Sequence, residues 1–335
     1  MTGVEAERQA TLTDVAALAS VSRATVSLVL RQSPLVSTDT RERVEKAIAA
    51  IGYVYNRGAA RLRTGLSGTI GVIVPEITNP FYADLTAGID EALDAAGRLA
   101  YLANTNENPQ RQERFVRRIK EQGVDGVILC AAVGTSPTLI AQLKAWRLPC
   151  VQILRTLEGA EGDFVGPDFR AGIAAVIEHL VSVGHRRIAL FPSSKLTSAS
   201  RDRVDAFADS LRQHGLQPGP VRVCTASPAA VATEVSGLLD GNDPPTAFVC
   251  HNDVMALEAA AELTRRGLHL GSSLSVIGFD NIPEASRAVP RLSSVATFPN
   301  EIGTRAANLL LRRIASPQTP YERVLLQPQL ILRET

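Results

Sequence analysis

Two sets of residues in this chain have types and spacings that invite chemistry. The first lies in TLTDVAALASVSRATVSLVL, residues 11–30, where Ser22 is followed by Arg23, Ala24, Thr25 and Ser27. An arginine fork can bond both major-groove acceptors of guanine, an alanine methyl can pack on the methyl of thymine, and short hydroxyls suit either partner of a base pair. Ser22 stands where a helix N-cap is needed, and the backbone amides that follow such a cap suit a phosphate. The second set consists of polar groups next to short apolar runs. Asn79, Phe81 and Asp84 follow TIGVIV, Asp168 precedes a helical stretch and Arg203 opens another, Asn252 and Asp253 follow AFVC, and Asp280 and Asn281 follow VIGF. If a carboxylate, an amide and a guanidinium of this set meet in one cleft, they fit a ligand with many hydroxyls, each able to donate and accept. Sugars meet that description, and nucleobases remain open.

The elements that must carry these residues follow from periodicity. From Leu12 to Ile51 apolar residues recur at Val15, Leu18 and Ala19, then Val26, Val29 and Leu30, then Val44, Ala47, Ile48 and Ile51. Spacings of three and four put one apolar stripe on each of three helices, with Ser22 and Ser37 as N-caps and Gly52 as a C-terminal stop. Helix, tight turn at Ala19 to Val21, helix is the helix-turn-helix geometry, whose second helix enters a major groove. From Thr69 the rhythm becomes β run, amphipathic helix, β run: TIGVIV, LAYLAN, GVILCA, PCVQIL, RIALF, AFVCHN and LSVIGF alternate with helical segments. That alternation predicts a doubly wound α/β fold with parallel sheets, split into two lobes at this length. Ligands of such sheets bind beyond the carboxyl ends of the strands, where the second residue set lies.

Composition narrows the classes. The net charge of +1 divides into +3 over residues 1–65 and −2 over the rest, a modestly basic head on a mildly acidic body. Cys130, Cys150, Cys224 and Cys250 form no Cys-x-x-Cys pair, so buried, reduced thiols are expected and neither a metal site nor a disulfide framework is. No basic segment with an apolar stretch behind it opens the chain and no long apolar run occurs, so no export signal or membrane span is expected and the cytoplasm is the expected compartment.

These motifs together resemble the lactose-repressor/galactose-repressor (LacI/GalR) family. The resemblance is carried by Asp14-Val15-Ala16 through Ser22, Thr25-Val26-Ser27, Val29-Leu30, VSTDTRERVEKAIAAIGY, NRGAARL, TIGVIVPEITNPFY, GHRRIAL and LSVIGFDN, in order along nearly the whole chain. It implies a helix-turn-helix domain over residues 1–56, a hinge helix and linker over 57–67, and a two-lobed core over 68–335 like that of periplasmic sugar-binding proteins. The lobes would comprise about 68–167 with 299–326, and 168–298 with 327–335. It implies DNA contacts from Thr13, Ser22, Arg23, Ala24, Thr25 and Ser27, and from the hinge residues Asn56, Arg57, Ala59, Leu62 and Arg63, with Leu62 wedged into a minor-groove step. It also places Asn79, Phe81, Asp84, Arg155, Arg203, Asn252 and Asp280 around an effector. Arg155 stands where relatives carry a small or acidic residue, which would favour an acidic or phosphorylated group on the ligand. The implied partners are operator DNA, a sugar-like effector and a second copy of the chain; no cofactor is implied. Two departures stand out: Ser20 occupies a turn position usually held by glycine, and Leu28 a position usually held by a base-contacting arginine.

Other readings compete with some of these assignments. Asp168 and Asp253 read first as helix caps, Arg203 can pair Asp205 or Asp209, and His185 reads as a turn residue before a strand. A nucleotide-dependent enzyme would need a glycine-rich phosphate loop where this chain has PEITNPF, and an exported sugar-binding protein would need no helix-turn-helix.

Overall fold

A computed structural model of the chain describes residues 10–54, 65–195, 197–217, 219–225, 227–271 and 273–335. The chain divides after Ser67 into two compact units.

In the first unit, α1 (Leu12–Leu18), α2 (Arg23–Leu30) and α3 (Thr38–Ile51) enclose a small core of Val15, Val26, Val29 and Val44 with the alanines Ala16, Ala19 and Ala47. Each helix starts on a hydroxyl. Thr11 and Asp14 form a reciprocal capping box, Ser22 Oγ accepts from the Thr25 amide at 3.0 Å, and Ser37 Oγ accepts from the Thr40 amide at 3.4 Å. Gly52 ends α3 in the left-handed region at φ 62°. The axes of α1 and α2 meet at 103°, inside the range of DNA-reading helix pairs. The turn between them holds Ser20 at φ 54°, a left-handed conformation that a glycine adopts without strain and a serine does not. The hinge positions Asn56, Arg57, Ala59, Leu62 and Arg63 lie outside the described residues.

The second unit contains two sheets. The first is wholly parallel, in the order β10-β5-β4-β3-β1-β2, from β1 (Thr69–Val74), β2 (Leu99–Asn104), β3 (Gly126–Leu129), β4 (Cys150–Ile153), β5 (Asp163–Pro167) and β10 (Arg323–Leu326). The second runs β11-β9-β8-β7-β6, from β6 (Ile188–Phe191), β7 (Ala247–Cys250), β8 (Ser275–Asp280), β9 (Ser293–Ala296) and β11 (Gln329–Ile331). Its edge strand β11 pairs β9 antiparallel, a reversal the strand-helix rhythm did not announce. The inner strands are buried on both faces, as sheets covered by helices require. The helices are α4 (Pro80–Ala95), α5 (Pro109–Gln122), α6 (Thr138–Ala145), α7 (Phe169–Ser182), α8 (Ser198–Gln213), α9 (Pro228–Leu239), α10 (Asp253–Arg265), α11 (Pro283–Arg287) and α12 (Pro299–Ala315).

The chain passes between the lobes three times, after β5, after β9 and after β10. The second crossing returns α12 to the first lobe, where it lies close against α4. A side chain at Gly88 would meet the Asn300 carbonyl oxygen at 2.1 Å, and one at Gly303 the Leu85 carbonyl oxygen at 2.2 Å, so both positions need glycine for this approach. The far end of α12 is held by a buried bidentate ion pair: Arg313 Nε and Nη2 donate to the two carboxylate oxygens of Asp163 at 2.7 and 2.9 Å. All four cysteines are unpaired; Cys130, Cys224 and Cys250 are buried, while Cys150 is partly so.

Candidate functional site

On α2 the residues singled out for base contact all lie off the buried positions Val26 and Val29, with Thr25 and Ser27 partly exposed. Arg23 and Ala24 are exposed beside the Ser22 cap, whose hydroxyl also meets Thr25 Oγ1 at 2.9 Å. Val26 and Val29 point into the core, so the opposite face is free to enter a groove. Ser27 is not free: Arg31 at the helix end donates from Nε to the Ser27 carbonyl at 2.9 Å and from Nη2 to its hydroxyl at 3.3 Å. Thr13 is exposed in the first turn of α1.

In the second unit, a cavity of about 420 Å³ opens between the lobes at the strand ends. It brings together Asn79, Phe81, Arg155, Arg203, Asn252 and Asp280. Asp84 is not among its lining residues: Phe81 and Leu85 take the inward positions of α4, and Asp84 projects to the exposed face. The capping alternatives divide. Asp168 caps α7, accepting from the Ala171 amide at 3.0 Å, whereas α10 is capped by Asn252, which accepts from the Met255 amide at 3.0 Å. Asp253 instead lies buried beneath the cavity, accepting from the Ile282 amide at 2.8 Å and the Ser294 hydroxyl at 2.5 Å.

Arg203 is the most constrained polar group in the site. Its guanidinium lies 3.7 Å from the ring centre of Phe169 and 5.1 Å from that of Phe279, and it donates to the Ala199 carbonyl at 3.1 Å. Asp209, considered as its partner from sequence, is taken by Arg170 and Arg212 instead. Arg203 Nε, buried and without a hydrogen-bond partner, is therefore a donor waiting for an acceptor. Burial pulls its pKa down to about 10, partly offset by the nearby Asp280, so it stays charged at neutral pH. Burial also lifts Asp280 to about 6, against the Arg203 charge and the Thr297 hydroxyl, which hold it down. His251, which the sequence reading passed over, has a buried Nδ1 without a partner; burial first, then Arg203, Arg155 and Lys195, push its pKa well below the usual range.

Arg155 is occupied, which corrects its reading as a receptor for an acidic ligand group. It donates to Glu107 Oε1 at 2.9 Å and to Cys130 Sγ at 3.3 Å, so its charge is balanced within the protein. Glu107 also accepts from the Val133 amide at 2.9 Å. From the other lobe Lys195 reaches across the cleft to Glu76 at 3.2 Å and Glu107 at 3.6 Å. Two further links join the lobes: the Thr156 amide to Ser198 Oγ at 2.9 Å, and Arg201 to Glu158 at 3.6 Å. Glu76, Glu107, Lys195 and His251 all lie in loops that follow strands, so uniform use of the strand-end rule would have found them. The backbone is strained in the same places: Glu107, Leu154, Asp280 and Asn281 have φ of 55°, 63°, 100° and 54°. Among the described residues, no group of His, Cys, Asp and Glu side chains is placed to hold a metal ion.

Comparison with known proteins gives matches along nearly the whole chain. The profile of the bacterial regulatory proteins of the lacI family matches residues 11–56, and a periplasmic binding protein-like domain matches residues 177–335. The maltose regulon regulatory protein MalI of Escherichia coli K12 is 34% identical over 97% of this chain and 98% of its own. The lac repressor dimer bound to operator and the anti-inducer ONPF superposes with a TM-score of 0.87 at 27% identity, covering 98% of this chain and 99% of its own. The transcriptional regulator CelR in complex with cellobiose superposes at 0.73 and 29% identity, covering 97% and 99%.

Proposed function

Since the chain belongs to the LacI family of bacterial regulatory proteins, we propose that it is a repressor that binds a pseudo-palindromic operator as a homodimer and is released by a sugar or sugar-like effector. The observation that carries the ligand half is Arg203: a buried guanidinium stacked on Phe169, with one donor unspent and the Asp280 carboxylate in the same cavity. Such a pair of donor and acceptor suits a ring hydroxyl, and aromatic faces suit the apolar side of a sugar ring. Cellobiose in the CelR complex is a ligand of this kind. The charged groups of the cavity largely cancel within the protein, which favours a neutral polyhydroxyl ligand over an anionic one. Asn79, Phe81, Arg155 and Asn252 complete the site we assign.

The DNA half rests on the outer side of α2 and the 103° helix pair, with Thr13, Ser22, Arg23, Ala24 and Thr25 as contacts and Ser27, tied to Arg31, beside them. The hinge contacts from Asn56, Arg57, Ala59, Leu62 and Arg63 rest on the sequence resemblance alone. A homodimer is supported by the apolar edge strand β2, where Leu99, Tyr101 and Leu102 are 55, 44 and 44% exposed. Binding, not turnover, is the role assigned to the cavity. No single helix among the described residues is long and apolar enough to cross a membrane; action on DNA supports the cytoplasm as the compartment we assign.

The test pairs an electrophoretic shift on the DNA upstream of the protein's own gene with a thermal-shift screen over neutral sugars and sugar phosphates. A ligand at 100 times its dissociation constant adds about 2.7 kcal/mol of stability. The expected result is a retarded complex that a stabilising neutral sugar dissolves; a shift that no stabilising compound alters defeats the release reading.

A further inference from the structure

The recognition helix lacks a guanidinium at its middle: Leu28 stands there and offers no hydrogen bond to a base. Arg31 lies one turn further on. Its backbone, at φ −95° and ψ 7°, continues the helix closely enough that Ala24, Ser27 and Arg31, at offsets of three and seven, share one stripe. That stripe is opposite the buried Val26 and Val29. The two hydrogen bonds from Arg31 to the Ser27 carbonyl and hydroxyl fold its side chain back along the helix toward the Leu28 level, and leave the outer Nη1 and Nη2 edge open. Among the described residues no carboxylate pairs with it.

We infer that Arg31 is a specificity-determining residue of this helix, its guanidinium held on Ser27 and presented to a guanine in place of the donor that Leu28 cannot supply. An arginine in free solution loses much rotamer freedom on docking; one already tied at Nε and Nη2 loses less, and its remaining edge keeps the fork geometry that matches the two acceptors of guanine. Ser27 is then a positioning residue that orients the fork and does not itself read a base. The inference rests on the DNA-binding reading above.

The experiment selects binding sites for the full-length chain and for Arg31→Ala from a duplex library with a randomised central segment, then compares affinities for the wild-type selected duplex and for a random duplex. If the wild-type chain enriches no motif, the DNA-binding reading itself fails, a result distinct from those below. The expected outcome for Arg31→Ala is a motif that loses a G·C preference at one position of each half-site. Binding to the selected duplex should weaken about 5- to 150-fold, with a change of less than about 3-fold on random DNA. Arg31→Lys keeps the charge but not the fork, so it should bind random DNA as wild type does and the selected duplex nearly as poorly as Arg31→Ala. Ser27→Ala should weaken the selected duplex by about 2- to 10-fold with the motif unchanged. The inference is overturned if Arg31→Ala selects the wild-type motif, whether it weakens both duplexes equally, as a phosphate contact would, or neither. Should Arg31→Ala fail to fold, Arg31→Lys decides by the same comparison.

Discussion

Asp280 ends β8 at φ 100°, in a conformation few side chains adopt, with burial lifting its pKa to about 6. An acid whose folded pKa is raised contributes most stability below its unfolded value of 3.8, and that contribution is lost as pH rises through about 6. Ligand binding runs the opposite way, because only the carboxylate accepts two hydroxyls at once. Affinity for a sugar found in the screen is therefore expected to fall between pH 7 and pH 5, while burial holds the His251 pKa well below its usual range. Asp280→Asn should abolish this pH dependence along with most of the affinity, and raise stability at pH 7.5 by on the order of 1 to 3 kcal/mol. Calorimetric titration at both pH values, with melting curves for the variant, checks all three; an unchanged affinity at pH 5 defeats the assignment. Arg203→Ala should remove ligand binding and leave the operator complex intact, since Arg203 stacks on Phe169 inside the core unit.

At the level of elements, the Asp163–Arg313 pair joins β5 to α12 where both side chains are almost fully buried, at 0 and 6% exposure. Removing one partner leaves a buried charge uncompensated, so Asp163→Asn is expected to cost about 3 to 5 kcal/mol in denaturant melts. Arg313→Met with Asp163→Leu should recover most of it; a single-variant loss below about 1 kcal/mol would show that water reaches the site. In the recognition turn, Ser20→Gly should stabilise the helical unit by about 0.5 to 1 kcal/mol, read as slower amide exchange at Val26 in the full chain. Local chemistry was the readable part of the sequence. Ser22, Ser37 and Gly52 announced the ends of their helices because a cap is decided within four residues, and the parallel, two-lobed architecture followed from the alternation of buried strands with amphipathic helices. The Glu107–Arg155 and Glu76–Lys195 contacts left no such trace, spanning 48 and 119 residues: the first needs strands of one sheet side by side and the second needs both lobes. Strands β10 and β11, four and three residues long, are too short for periodicity to mark.

Across the whole core, Lys195 bridges two carboxylates of the opposite lobe, so part of the closure free energy comes from the protein itself. The three side chains are partly exposed, and such pairs contribute about 0.2 to 1 kcal/mol each, so Lys195→Ala, which removes two, should weaken ligand binding by about 2- to 30-fold. High salt should have a similar effect on wild type and little on the variant; salt sensitivity retained in the variant would place the screened charges elsewhere. A ligand moves operator affinity only by its differential affinity for the two states, and a coupling of about 1 to 3 kcal/mol corresponds to 5- to 150-fold. The operator must then change ligand affinity by the same factor, and titrations in both directions that disagree would rule out simple linkage. The threefold crossing of the chain between lobes also governs the order of biosynthesis. The helical unit leaves the ribosome before the core and has its fully buried residues in hand by Ala47, whereas the first sheet waits for Arg323–Leu326 and the second for Gln329–Ile331. At roughly 5 to 20 residues per second, translation leaves a nascent chain for on the order of 10 to 50 s with a finished DNA-reading head and neither lobe closed. A message truncated upstream of Arg323 would release a protein in which both sheets lack an edge strand.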